Sequence, residues 1–152
     1  MKKIIMAIAA SGMLILGGCA AQEKAYSKQE KQTTHKKEPT DTKNFMIALD
    51  QAVYTDERSP GEAKQDKILR LKLTVKNNAI ESDTFDSTKL KIIDKNGKPL
   101  RVYPYDNMIE NLDKGETKTG YAYFIATGNQ PYQMTYTNRI KESFQWNIPT
   151  VK

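Results

Sequence analysis

One cysteine and one histidine stand in 152 residues. A single thiol excludes an internal disulfide and a cysteine-built zinc cluster, and a single imidazole excludes a histidine-rich metal site. No run of about 20 apolar residues is present, so no segment reads as a membrane-crossing helix. Glycine-rich phosphate loops are missing. The formal net charge of +6 is modest, and the lysines are spread along the chain rather than gathered on one element. That pattern argues against a nucleic-acid partner. The length leaves room for one ordinary domain and a tail.

What is present begins with Lys2 and Lys3, followed by an uncharged apolar run from Ile4 to Leu16. Such a run is short for a bilayer but suits the core of an export signal. Leu16-Gly17-Gly18-Cys19 follows. This order resembles the cleavage box of bacterial lipoprotein signals. Small residues let the backbone enter a peptidase cleft, and the chain's sole thiol stands where a lipid is attached. The resemblance implies cleavage before Cys19, a diacylglyceryl group on its sulfur and acylation of the new amino end. Each buried methylene contributes about 0.8 kcal/mol, so two or more chains anchor firmly. Residues 1–18 therefore read as a signal peptide. The mature chain is expected at the cell membrane, lipid-anchored at Cys19 on the extracytoplasmic face.

Residues 19–43 read as the lipidated cysteine and a disordered tether. Ala20 to Lys43 holds six lysines, four acids and a single aromatic, Tyr26. Such a segment cannot bury enough apolar surface to offset chain entropy. As a flexible coil it would span on the order of 25–30 Å. His35 lies in it without neighbours for metal or catalytic work, so it reads as solvated linker.

Residues 44–152 read as the folded part, and its signals are β throughout. Phe45, Ile47, Leu49 and Val53 recur at near-even spacing, interrupted at Gln51. A polar loop from Thr55 to Asp66 carries Ser59-Pro60-Gly61 as its breaker. Leu69, Leu71, Leu73 and Val75 then alternate with Arg70, Lys72, Thr74 and Lys76, a strict period of two with one apolar face. Further strands are expected over Thr88–Asp94, Pro99–Tyr105 and Thr117–Ala126, then at Tyr132, Met134 and Tyr136, and last at Phe144, Trp146 and Ile148. Asn96-Gly97 between two of them is a hairpin turn signal. About seven short strands without a helical stripe predict an all-β, immunoglobulin-like antiparallel two-sheet sandwich. A barrel is the competing arrangement.

Several motifs carry a family resemblance. They are the Leu-x-Leu-x-Leu-x-Val-Lys-Asn strand of 69–77, Leu90-Lys-Ile-Ile-Asp-Lys-Asn-Gly97, Leu112-Asp-Lys-Gly-Glu116 and Gly120-Tyr-Ala-Tyr-Phe124. With a lipidated cysteine and a Lys/Glu/Thr-rich tether ahead of them, they resemble the immunoglobulin-like "immunoprotective extracellular" domains common in bacterial lipoproteins. The resemblance covers about residues 45–137. It implies a fold and no catalytic residues.

Nucleophilic catalysis needs a base beside the nucleophile, and residues 44–152 contain neither histidine nor cysteine. Paired carboxylates could serve a small envelope hydrolase, and Asp50, Asp83, Asp86, Asp106, Glu110 and Asp113 are the candidates. Asp94-x-Asn96-Gly97 begins like a calcium loop, yet Lys98 stands where an oxygen ligand is wanted, so a hairpin turn is expected there. No catalytic residue, metal or cofactor is assigned. Tyrosines are more suggestive. Tyr121 and Tyr123 are expected to face outward with Ile125, opposite Phe124, and with Tyr103 and Tyr105 they form the candidate binding surface. The competing reading has these rings covering a sheet or forming a tyrosine corner. The expected function is that of a non-enzymatic, lipid-anchored binding or accessory module contacting an envelope protein or polymer. The rivals are a phage or conjugation exclusion factor and the carboxylate hydrolase.

Overall fold

The computed structural model describes residues 38–151, apart from 63, 65 and 66. Cys19, the signal peptide and most of the proposed tether lie outside the described residues. Ten strands occur among those described: β1 (Thr40–Asp41), β2 (Phe45–Thr55), β3 (Ile68–Asn77), β4 (Asp83–Asp86), β5 (Lys91–Ile93), β6 (Arg101–Val102), β7 (Ile109–Leu112), β8 (Thr117–Ile125), β9 (Gln133–Thr137) and β10 (Ser143–Asn147). All pairings are antiparallel. One sheet runs β1-β2-β3-β8-β6, a second β10-β9-β5, and β4 pairs with β7. The fold is an immunoglobulin-like β-sandwich.

Alternation along β3 sorts its side chains as the sequence pattern requires. Leu69, Leu71, Leu73 and Val75 are fully buried between the sheets, beside Phe45, Ile47 and Leu49 of β2 and Ala122 and Phe124 of β8. Ile92, Tyr132, Met134, Tyr136 and Trp146 close this core from the other side. The break at Gln51 is a β-bulge: the register shifts between Leu49 and Gln51, leaving Asp50 extra. Beyond Met46 and Ile47, which pair with β1, the outer edge of β2 has no strand partner among the described residues.

Three boundaries differ from the sequence reading. Folded structure begins ahead of residue 44, because Thr40 and Asp41 join the sheet and Thr42 is buried with its hydroxyl donating to the Phe45 carbonyl at 2.7 Å. Polar Asp41-Thr42-Lys43 looks like tether by composition, but it is a turn in which Lys43 has φ 73°. The strand expected over 88–94 shortens to β5. The Asp86 carboxylate accepts the Thr88 N–H at 3.0 Å and caps a 3-10 turn over Ser87–Lys89. The strand expected over 99–105 shortens to β6.

The Asn-Gly signal is met by a turn. Gly97 has φ +79°, and one Asp94 oxygen accepts the N–H groups of Asn96 and Lys98 at 2.9 and 2.8 Å. Those bonds, with Lys98 first, hold the Asp94 carboxyl below its usual range despite burial. The Tyr132 hydroxyl bonds back to the Gly128 carbonyl at 2.9 Å, which is the geometry of a tyrosine corner.

Candidate functional site

Antiparallel pairing of β3 with β8 sets Ile68 opposite Ile125, Arg70 opposite Tyr123 and Lys72 opposite Tyr121. These residues share the sheet face turned away from the main core. Tyr103, just past β6, donates its N–H to the Tyr123 carbonyl at 2.8 Å and joins the same face. The four tyrosines singled out in the sequence are thus brought together. Tyr103 and Tyr105 stack with ring centres 6.1 Å apart, Tyr105 meets the edge of Tyr123 at 5.0 Å, and Tyr121 lies 6.2 Å from Tyr123. The Arg70 guanidinium sits 5.1 Å over the Tyr121 ring.

An outward-facing tyrosine strip is not what results. Tyr103, Tyr123 and Ile68 are buried, and Glu57 and Glu62 of the β2–β3 connection bond to the two tyrosine hydroxyls. Glu57 in that connection accepts the Tyr123 hydroxyl at 2.9 Å with one oxygen and pairs with Arg70 at 2.5 Å with the other. Glu62 accepts the Tyr103 hydroxyl at 2.5 Å. Asn107 adds a stitch, donating to the Tyr103 carbonyl at 2.7 Å and accepting the Tyr123 N–H at 2.8 Å. Burial first, then the Glu57 carboxylate, holds the Tyr123 phenol well above its ordinary pKa. Tyr103 is raised by its bond to Glu62 and then by burial. For Arg70, burial pulls the pKa down and Glu57 more than reverses it.

Tyr105, 38 % exposed, and half-buried Tyr121 are what remain accessible of the four. Tyr121 borders a cleft of about 510 Å³ whose other walls include Asp106, Ile109, Glu110 and Lys118. Ile109 is 58 % exposed. Gly120 and Met108 also line it, and they approach so closely that a Cβ on Gly120 would lie 2.9 Å from the Met108 side chain. The site therefore has a rigid buried half, Tyr103 and Tyr123, and an accessible half, Tyr105, Tyr121 and Ile109. Glu57, Glu62, Arg70 and Asn107 were not legible in the sequence as parts of it. Arg70 alternating into the face of β3 that pairs with the tyrosines was the one available hint.

Of the six carboxylates considered for acid–base chemistry, Asp83 and Asp86 line one concavity, Asp106 and Glu110 another, and Asp50 and Asp113 line neither. Asp50 accepts the Thr74 hydroxyl at 2.7 Å, Asp113 that of Ser82 at 2.8 Å, and Glu110 pairs with Lys118 at 2.8 Å. Asp83 pairs with Arg139, and Asp86 lies 3.6 Å from Lys89. Asp106 shares the cleft with Glu110. Burial raises the Asp86 carboxyl, but its bonds to Thr88 outweigh that and leave it below the usual range.

Residues 24–145 match the family model described as "Domain of unknown function (DUF4352)". No curated protein matches the sequence. Among solved structures, the yjhA protein of Bacillus subtilis superposes with TM-score 0.52 at 16 % identity, over 69 % of this chain and 91 % of that one. MPT63, a secreted protein of Mycobacterium tuberculosis, does so at 0.54 and 21 %, over 71 % and 88 %. A candidate lipoprotein of Bacillus subtilis, ycdA, does so at 0.55 and 14 %, over 78 % of this chain and 39 % of its own. At these identities the likeness is one of fold.

Proposed function

The chain belongs to the DUF4352 family, and on that premise we propose that it is a non-enzymatic accessory module held at the extracytoplasmic face of the membrane by a lipid on Cys19. It meets an envelope protein or polymer through Tyr105, Tyr121, Ile109 and the adjoining cleft. The observation that carries this reading is the division of the tyrosine cluster. Buried Tyr103 and Tyr123, locked to Glu62 and Glu57, fix the rings of Tyr105 and Tyr121 at the surface. Pre-set aromatic area is bound at little entropic cost. Tethering raises the local concentration of such a surface, so weak contacts suffice. The Leu16-Gly17-Gly18-Cys19 box supports the anchor. The secreted and candidate-lipoprotein relatives in fold support a place outside the cytoplasm.

Two measurements on the full chain in cells test this. Labelling with an alkyne-bearing fatty acid should mark the wild type in the membrane fraction, and Cys19→Ala should lose both label and membrane residence. A photo-crosslinking amino acid at Tyr121 or Ile109 should trap one discrete adduct that the same probe at Ile80 does not. An unlabelled wild type would overturn the anchor, and equal capture at all three positions would overturn the surface.

A further inference from the structure

A second concavity, of about 280 Å³, opens among β2, β4 and β9 and shares no lining residue with the tyrosine site. Its floor is aromatic: Phe45 and Phe85 meet edge to face at 5.5 Å, and both rings pack on Tyr136 at 6.3 and 6.1 Å. Its polar wall carries two carboxylates, Asp83, only 4 % exposed, and Asp86. One Asp83 oxygen is taken by the Arg139 guanidinium and the other by the Asn44 side-chain amide at 3.2 Å. Arg139 itself is 69 % exposed, and Lys89 on the same rim is 77 % exposed.

These partners decide the sign of what the site takes. A cation from outside would have to displace Arg139, which already pairs with Asp83. An anion displaces less: Lys89 lies 3.6 Å from Asp86, which also lines the concavity, and at 77 % exposure that contact is a loose surface pair. A guanidinium has five N–H donors in a fixed fork, and the bond to Asp83 uses the Nη2 side, leaving donors free to turn outward. The arginine is also aimed. Asn138 accepts the N–H groups of Ile140 and Glu142 at 3.1 and 2.9 Å and donates to the Thr42 carbonyl at 3.2 Å, so the turn carrying Arg139 is tied to the body of the sandwich. An arginine backed by a buried carboxylate, on a fixed turn, with a lysine lining the same concavity, is pre-organised for a planar or tetrahedral oxyanion. Thr84 and Thr137, which also line the concavity, add hydroxyl groups to the wall.

We propose that this concavity is an oxyanion site, in which Arg139 and Lys89 hold the carboxylate or phosphate group of a small polar molecule. The test is a titration of the detergent-solubilised full chain with inorganic phosphate, with glycerol phosphate and with acetate, each against sodium chloride at matched ionic strength. Amide NMR shifts at Thr84, Asn138 and Arg139 are the readout. Saturable shifts with at least one oxyanion and none with chloride are expected. Saturation by the phosphates alone assigns a tetrahedral group, and saturation by acetate assigns a carboxylate. Arg139→Lys keeps the charge and the partner of Asp83 but loses the fork, and should weaken binding about tenfold, the size of a charge-assisted hydrogen bond. Lys89→Ala, at an exposed position that leaves the fold intact, should weaken it several-fold. Shifts that chloride reproduces, or saturation unchanged by both variants, would overturn the proposal.

Discussion

The two faces of the β3–β8 pair are both covered, by different chemistry. On the inner face Leu69, Leu71 and Leu73 meet Ala122 and Phe124 in a core held by burial of apolar surface, which has no preferred direction. On the outer face Ile68, Tyr103 and Tyr123 are buried as well, yet their cover is a connection pinned by Glu57 and Glu62. The contrast teaches that burial alone does not say how a surface is held. The inner face should accept volume-conserving exchanges. The outer face should resist any change that strands a donor or acceptor, whatever its volume.

The sharpest test of that contrast is at the inner face. Leu71→Ala removes a fully buried side chain and should cost about 2–5 kcal/mol of stability in urea unfolding, whereas Leu71→Met should cost less than about 1.5 kcal/mol. A loss for Leu71→Ala below that of the outer-face variants would invert the comparison. Next comes Tyr123→Phe, which keeps nearly all the volume and deletes the hydroxyl that Glu57 accepts. It should cost about 1–3 kcal/mol. In a double-mutant cycle with Glu57→Gln the two losses should be non-additive by at least about 0.5 kcal/mol. Additivity would mean that the network is incidental.

The smallest effect is in alkaline solution. A phenol whose folded pKa is raised contributes stability that is whole below the unfolded value of about 10 and is lost as pH climbs from there toward the folded value. Tyr123 is raised by burial and Glu57, and Tyr136, in the main core, is pushed up to about 12 by burial and then by Asp83. Stability should therefore fall above pH 10, and less steeply in Tyr123→Phe and in Tyr136→Phe than in wild type. Urea midpoints at several pH values between 9 and 11 would show it. Parallel declines in all three proteins would place the alkaline sensitivity elsewhere.

Much of the sandwich was legible in the sequence because a strand with one apolar face writes a period of two. β3, β8, β9 and β10 follow from Leu69–Val75, Gly120–Phe124, Tyr132–Tyr136 and Phe144–Trp146. Short strands wrote nothing readable. Thr40–Asp41 is polar, and β4 and β7 alternate over only four residues each. The candidate site was half legible. Alternation put Tyr121, Tyr123 and Ile125 on one face, as found, but exposure depends on what lies above that face. The cover comes from Glu57 and Glu62, in a loop whose composition reads as solvent-exposed. Distance in sequence hid the bonds: Tyr123 and Glu57 are 66 residues apart. The same holds for Asp83 and Arg139, 56 residues apart, whose pairing no local pattern announces.

The extra residue at Asp50 has a bearing on how copies of this molecule live side by side. A sheet border with no strand partner beyond Ile47 among the described residues is a template on which neighbouring chains can stack into ribbons. A bulge kinks and twists that border, and here it sets a carboxylate at the kink. A molecule with Asp50 deleted, its rim straightened, should be the one that turns fibrous.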